Sequence, residues 1–303
     1  MYDGFKVRLP PTMIDVLLKN ELLAFKSFFD NSTGEVEGYK FAHYPNEINT
    51  SGKNSKLCFK IKGTYVELTG SLHKFWQNGT NYKTYQYMDV VQTLKKLHTL
   101  FQINLNEATI HNLEFGLNIS LEGITAKNVL NSCMMYGTKQ LSTEYYENNG
   151  LLKRAKLSQY EVKIYDKGTQ NRIGDHLLRI EKKVVCMEKL GHISLSDLLN
   201  PTFVNIASEQ LLTLWDNVLY YEEINDLKYV SKPLKEIYKR FNTNNYLCDL
   251  SKNNYRKLKH ERRKYKELIK QHCSNSIHLQ ISELMFDKLI EFNADALKNY
   301  VPK

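Results

Sequence analysis

Lys163, Tyr165 and Lys167 occupy alternate positions in the segment from Tyr160 to Lys167. In an extended strand alternate side chains share a face, so these three stand with Glu161 while Val162 and Ile164 point the other way. Two further segments sort in the same manner. Leu113, Phe115, Leu117 and Ile119 are set against Asn112, Glu114, Gly116 and Asn118, and Leu178, Ile180 and Val184 against Arg179, Glu181 and Lys183. If the three strands share a sheet, one face carries two carboxylates, several cations and a tyrosine. Such a set can cleave a phosphodiester, because it offers a nucleophile, cations to offset phosphate charge and carboxylates to hold a divalent metal. A tyrosine nucleophile keeps the phosphate bond as phosphotyrosine, so the strand can be rejoined without an outside energy source. The competing expectation is the solvated side of a half-covered sheet, the usual fate of charged strand residues.

The nucleophile has rivals among the 20 tyrosines. Tyr160 falls on the face of Val162 and Ile164. Tyr145 and Tyr146 precede the turn-forming Asn148-Asn149-Gly150 and could reach the site from a loop. The segment Gly70-Ser71-Leu72-His73-Lys74-Phe75-Trp76 could hold a phosphate through loop amides and Lys74, with Trp76 stacking on an unpaired base. As an isolated string it is more often a strand end with an ordinary aromatic anchor.

The elements that must position these groups are legible in part. A helix is expected from Thr12 to Phe28, with Thr12 as its N-cap after Pro10-Pro11. Leu57, Phe59 and Ile61, then Val66 and Leu68, alternate with polar residues on either side of Gly63-Thr64, which predicts a hairpin. Helical spacing covers Asp89–Phe101 and, more weakly, Ala126–Met135. Strands are expected at Leu113–Ile119, Tyr160–Tyr165 and Leu177–Val185. From Ser194 onward the pattern is helical: Ser194–Leu199, Ser208–Glu223, Lys232–Phe241, Lys252–His272 and Ile281–Phe292. The fold class is therefore α+β, an antiparallel-sheet domain over residues 1–200 followed by a helical, basic domain over 201–303, with the boundary near Asn200-Pro201.

Bulk properties narrow the partners. The 303 residues are 42% hydrophobic, enough for a substantial core, and 42 Lys and Arg against 33 Asp and Glu give a net charge of +9. An anionic partner such as nucleic acid or a membrane surface follows, and charge alone does not choose between them. No stretch approaches the roughly 20 apolar residues of a membrane span and the first residues lack a signal-peptide run, so a cytoplasmic protein without membrane association is expected. The five cysteines are far apart and without Cys-x-x-Cys spacing, which signals neither a disulfide framework nor structural zinc. The 252–272 helix carries Arg256, Lys257, Lys259, Arg262, Arg263, Lys264, Lys266 and Lys270 with Tyr255 and Tyr265 interleaved, a density suited to a phosphate backbone.

The string Lys163-Ile-Tyr165-Asp-Lys167-Gly168, followed by Leu178-Arg179-Ile-Glu181, resembles the signature of rolling-circle replication initiators of the filamentous-phage gene II/X type and related plasmid elements. Met1-Tyr2-Asp3-Gly4-Phe5, Leu68-Thr-Gly70-Ser71-Leu-His73-Lys74-Phe75 and Asn112-Leu-Glu114-Phe-Gly-Leu-Asn118-Ile occur in the family's order, over roughly residues 1–200. The resemblance implies an endonuclease that nicks one origin strand, becomes linked to the 5′ end, leaves a 3′-hydroxyl primer and later rejoins the displaced strand. It implies DNA as partner, both origin duplex and single strand, with a host helicase and polymerase. It makes Tyr165 the first choice of nucleophile ahead of Tyr160 and Tyr146, with Lys163 and Lys167 neutralising the scissile phosphate. Arg179, His73 and Lys74 would contact phosphate, and Arg262, Arg263 and Lys264 the duplex backbone. Glu114 and Glu181 would hold Mg²⁺ or Mn²⁺. The position where related initiators carry a second acid is Asn118, a weaker ligand, and no His-x-His pair exists, which leaves scattered histidines such as His73 or His111 as further donors. The alternative is an origin-binding or single-strand-binding regulator with the same fold and no chemistry.

Overall fold

A computed structural model describes residues 1–29, 36–45, 57–224, 226–242, 244–273 and 275–300. Among these described residues ten strands form one antiparallel sheet. In chain order the first six are β1 (Tyr2–Leu9), β2 (Lys26–Phe29), β3 (Val36–Tyr44), β4 (Leu57–Lys62), β5 (Tyr65–Ser71) and β6 (Thr109–Ser120). A small separate sheet uses β7 (Cys133–Tyr136), β8 (Lys139–Gln140) and β13 (Val218–Tyr220), and β9 (Ser142–Tyr145), β10 (Leu151–Lys156), β11 (Tyr160–Asp166) and β12 (Leu177–Val184) complete the large one. The large sheet runs β2-β3-β4-β5-β1-β6-β12-β11-β10-β9, so the first strand of the chain lies at its centre.

The helices are α1 (Met13–Leu18), α2 (Leu72–Trp76), α3 (Tyr87–Phe101), α4 (Ala126–Ser132), α5 (Lys167–Asn171), α6 (Pro201–Asp216), α7 (Lys232–Phe241), α8 (Asn244–Asn253), α9 (Tyr255–His272) and α10 (Ile277–Asn299). The apolar residues of alternate strand positions, among them Val7, Leu68, Leu113, Phe115, Ile164 and Ile180, are buried in the main core. On that face α4 packs on β10 and β11, α6 on β12 and α10 on β6, while Phe101 of α3 meets Phe59 with ring centroids 4.8 Å apart. Val204, Leu211 and Trp215 of α6 and Met285 and Leu289 of α10 belong to this core. A second core joins Leu219, Ile237, Phe241, Leu258, Tyr265 and Leu268, from β13, α7 and α9.

The α+β architecture agrees with the expectation, and several element bounds differ for local reasons. The helix expected from Thr12 to Phe28 stops at Leu18. Asn20 then turns the chain, accepting from the Leu22 amide at 2.9 Å and donating to the Leu100 carbonyl at 2.7 Å, and Lys26 to Phe29 pair with β3 as a strand. Thr12 makes no side-chain capping bond. The helix expected to begin at Ser208 begins at Pro201, where Asn200 caps Thr202 and proline suits the first turn, and it ends before β13. The helix expected over Lys252–His272 divides at Asn254, whose side chain caps Lys257. Met135, expected at the end of a helix, lies in β7.

Two features of the central strands matter most for what they carry. In the pairing of β1 with β6, Tyr2 faces Phe115 and Phe5 faces Leu113, so Asp3 and Gly4 together oppose Glu114 in a β-bulge. Both bulge residues therefore lie on the polar face. Farther along β6, Gly116 faces Glu181, and a side chain there would collide with the Ile180 carbonyl and the Glu181 backbone. Gly116→Ala is accordingly expected to lower stability by about 1–3 kcal/mol, the range for overpacking a filled interior. Urea denaturation with an unchanged midpoint would show that β12 does not need this close approach.

Candidate active site

The cross-strand register assembles the polar face. Tyr165 pairs with Arg179 and Arg179 with Asn118, while Lys163 pairs with Glu181 and Glu181 with Gly116. Arg179 is 2% exposed, and its guanidinium donates to Asp3 Oδ2 at 2.7 Å, Glu181 Oε2 at 2.7 Å and Asn118 Oδ1 at 2.9 Å. Lys163 Nζ bridges Glu114 Oε2 and Glu181 Oε1, each at 2.9 Å. The Tyr165 hydroxyl donates to Glu181 Oε2 at 3.1 Å. Asp3 also accepts from Ser71 and, at 2.6 Å, from Asn81. A carboxylate oxygen from each of Asp3, Glu114 and Glu181 lies within 4.8 Å of the others.

Burial sets the electrostatics, because removal from water penalises every charge that lacks a partner. It pushes the Glu114 carboxyl well above the usual carboxylate range, with the neighbouring Glu181 adding to the rise. Glu181 goes the opposite way. Against the upward pull of its own burial, a hydrogen bond from Glu114 and the charges of Arg179 and Lys163 hold it well below that range. The two carboxyls are thus pushed in opposite directions, which favours a proton on Glu114 over one on Glu181. Burial and Glu181 also raise the Tyr165 phenol well above its ordinary value. Lys167 is pushed down to about 7 by burial and then by Arg179.

The other expected residues fall in different surroundings. Asp166 caps the short α5, so Lys167 begins a helix rather than continuing the strand, yet its ammonium still reaches the site's edge, donating to Asn81 at 2.6 Å and Gln170 at 3.0 Å. Tyr146 is half-buried and its ring meets that of Tyr165 edge-on, centroids 5.2 Å apart. Tyr160 lies on the opposite face, its hydroxyl 3.1 Å from that of Tyr136. His73 is 3% exposed and stacks on Tyr85 at 4.5 Å, and burial lowers its pKa to about 3, so it is a neutral packing group. Lys74 stands close enough to Lys167 to lower its pKa further. Asn118 gives its oxygen to Arg179 and its amide to the carbonyls of Asn81 and Tyr82, which pins the loop before α3. His111 is exposed, outside the acid cluster. Arg262, Arg263 and Lys264 lie on α9, which packs on α7 and α8, and Arg262 donates to the Asn217 carbonyl at 2.6 Å.

Asp3 and Asn81 belong to the site without having been singled out as ligands. Asp3 had one signal, its place in the opening Met1–Phe5 string. Asn81 had none, because it lies in irregular chain that only the fold brings over the sheet.

Three clustered carboxylates with oxygen donors suit Mg²⁺ or Mn²⁺. A second mark of fit is charge, since the three acids of the cluster outnumber the two cations, Lys163 and Arg179, paired with them. Lys167 supplies a check on the electrostatics. Its folded pKa is lowered, so between about pH 7 and its ordinary value the unfolded chain binds the extra proton and stability rises with pH. The destabilisation is fully present below about pH 7. In urea unfolding, Lys167→Met should therefore compare better with the parent at about pH 6 than at about pH 10. A difference independent of pH would mean that Lys167 is ordinarily charged in the fold.

Neither the family models nor the curated proteins compared with this chain match it. Among solved structures, a rolling circle replication initiator protein from Geobacillus stearothermophilus aligns with a TM-score of 0.43 and 11% sequence identity, over 77% of this chain and 88% of that one. No helix among the described residues is long and apolar enough to cross a membrane.

Proposed function

We propose that this protein is a rolling-circle replication initiator that nicks one DNA strand at an origin and later rejoins it. The observation that carries the reading is the joining of Tyr165, Glu181, Glu114 and Asp3 with Lys163 and Arg179 on one covered sheet face. A solvated sheet face has no reason to bury three acids, two cations and a phenol in mutual contact.

In the proposed reaction the Tyr165 oxygen attacks the scissile phosphorus, the bond from phosphorus to the 3′ oxygen breaks, and a 5′-phosphotyrosine forms. Glu181, which already accepts from the phenol, takes its proton. The departing 3′ oxygen takes up a proton to become the hydroxyl that a host polymerase extends behind a host helicase. Attack of a 3′-hydroxyl on the phosphotyrosine reverses the chemistry and closes the strand. Asp3, Glu114 and Glu181 would hold Mg²⁺ or Mn²⁺, which when bound supplies Lewis-acid stabilisation of charge on the phosphate oxygens. Lys167, near neutrality in the protein alone, gains charge beside an arriving phosphate and orients it with Lys74. Tyr146 covers the Tyr165 ring and must swing aside for DNA to enter. In this proposal residues 1–200 carry the nicking chemistry, and residues 201–303 bind the origin duplex through the exposed side of α9, with Arg263 and Lys264 on the phosphates.

Incubation with single-stranded circular DNA of the protein's own element and Mn²⁺ should yield a protein–DNA adduct that persists in denaturing gels. Tyr165→Phe should abolish it, and Tyr160→Phe and Tyr146→Phe should leave it. Loss in Tyr146→Phe alone would move the nucleophile to the loop. No adduct with either Mg²⁺ or Mn²⁺ would leave a DNA-binding protein without chemistry. Glu114→Gln, which keeps the shape of the side chain, should weaken Mn²⁺ binding by calorimetry at least about tenfold, the lower end of what even outer-shell partners contribute. An unchanged affinity would remove Glu114 from the ligand set.

A further inference from the structure

The polar face does not end at the acid cluster. It continues across β1, β5, β4, β3 and β2, and the residues it presents there have a different character. By register, Lys6 and Arg8 of β1 share the face of Glu114, next to Glu67 and Tyr65 of β5, Lys60 and Lys62 of β4, Tyr39 and Phe41 of β3 and Lys26 of β2. Among the described side chains of this half outside the acid cluster, the five cations stand with a single carboxylate, Glu67, which Lys6 and Lys62 hold at 2.7 and 3.2 Å. The guanidinium of Arg8 lies over the Tyr65 ring, 4.1 Å from its centroid, and Lys60 over Tyr39 at 5.4 Å. The field is positive enough to act on neighbours. Burial and then Lys60 and Lys26 depress the His43 pKa, and burial and then Arg8 and Lys6 depress that of His111.

We infer that this half-sheet is a binding track for single-stranded DNA, which leads the strand across the sheet to the acid cluster. Alternating cations and aromatic rings on a sheet match the two features of an unpaired strand, a regular line of phosphates and exposed base faces that stack. A duplex offers only the first. Strands are about 4.8 Å apart and rise about 3.3 Å per residue, and Lys60 is level through Glu67 and Arg8 with Thr109, so it lies about 20 to 30 Å from Glu114 and Glu181, within reach of several nucleotides of one extended strand. The inference rests on the proposed nicking function for its direction of travel, and on the face itself for its ligand.

The test uses the full chain and a fluorescent oligothymidine, followed by anisotropy at several salt concentrations. Arg8→Gln with Lys60→Gln should weaken binding about tenfold or more. It should also lower the slope of log affinity against log salt by about 1.4, two contacts at about 0.7 each. Phe41→Ala should weaken binding by loss of stacking while leaving that slope unchanged. An unlabelled duplex should compete less well than an unlabelled single strand. Parental affinity and slope in the double variant, or equal competition by duplex, overturns the track. Covalent-adduct formation is measured on the same variants. A parent that binds the oligonucleotide through these residues and forms no adduct keeps the track and removes the nickase, whereas an adduct with unaltered binding in the variants does the reverse.

Discussion

A guanidinium cannot be deprotonated in a protein, so Arg179, at 2% exposure, requires acceptors wherever its N–H groups point. It finds them on three strands: Asp3 on β1, Asn118 on β6 and Glu181 on β12 itself. The dependence is mutual. Asp3 and Glu181 are buried as well, and without a cation each would take up a proton instead of staying charged. Lys163 and Tyr165 extend the same arrangement to β11. Four central strands are thus tied on one face by charge and on the other by apolar packing. Deleting one member of such a network costs about 3–5 kcal/mol, because a charge is left buried without a partner. That sensitivity fixes the relative position of the strands more than it adds to overall stability, which the apolar face supplies.

The β-bulge in β1 is what admits the third acid. In a regular ladder Asp3 would share the face of Phe5 and Val7, and a carboxylate would lie among the main-core side chains. Doubling the residues opposite Glu114 turns Asp3 to the polar side without shifting Tyr2 or Phe5 from the core. Gly4, the other bulge residue, has no side chain to compete with Glu114, whose atoms lie in contact distance of where one would be. A single irregularity thereby converts a pair of acids into a trio, one more acid than Lys163 and Arg179 offset.

Period-two alternation made the three strands and their faces legible from the residues alone, because side-chain direction in a strand depends on counting and not on context. Glu114, Lys163, Tyr165, Arg179 and Glu181 were found that way and do meet. Asp3 was not, since a bulge breaks the count. Burial was not legible either. Whether Glu181 faces water or the interior depends on the loop through Asn81 and on Tyr146, which local patterning does not locate. His73 shows the same limit, for a histidine in a string of phosphate-binding character turns out to be packed on Tyr85. The segment 12–28 failed for another reason. Its apolar residues recur at helical spacing, yet pairing with β3 claimed Lys26 to Phe29, so tertiary hydrogen bonding outweighed local propensity.

The distribution of charge along the polar face also imposes an order on anything that binds there. A phosphate chain gains little from the acids of β1, β6 and β12, whose carboxylates already engage Lys163 and Arg179. It gains most from the far end of β1 and from β2 to β5, where Arg8, Lys60 and Lys26 present charge beside aromatic rings. In the proposed reaction attraction and chemistry are therefore separated on one continuous surface. Further cations at the acids would hold the carboxylates still more firmly ionised and make Glu181 a weaker acceptor for the Tyr165 proton in the proposed reaction. With most of the binding charge on other strands, the state of Glu181 is set by Glu114, Arg179 and Lys163, which hold it ionised.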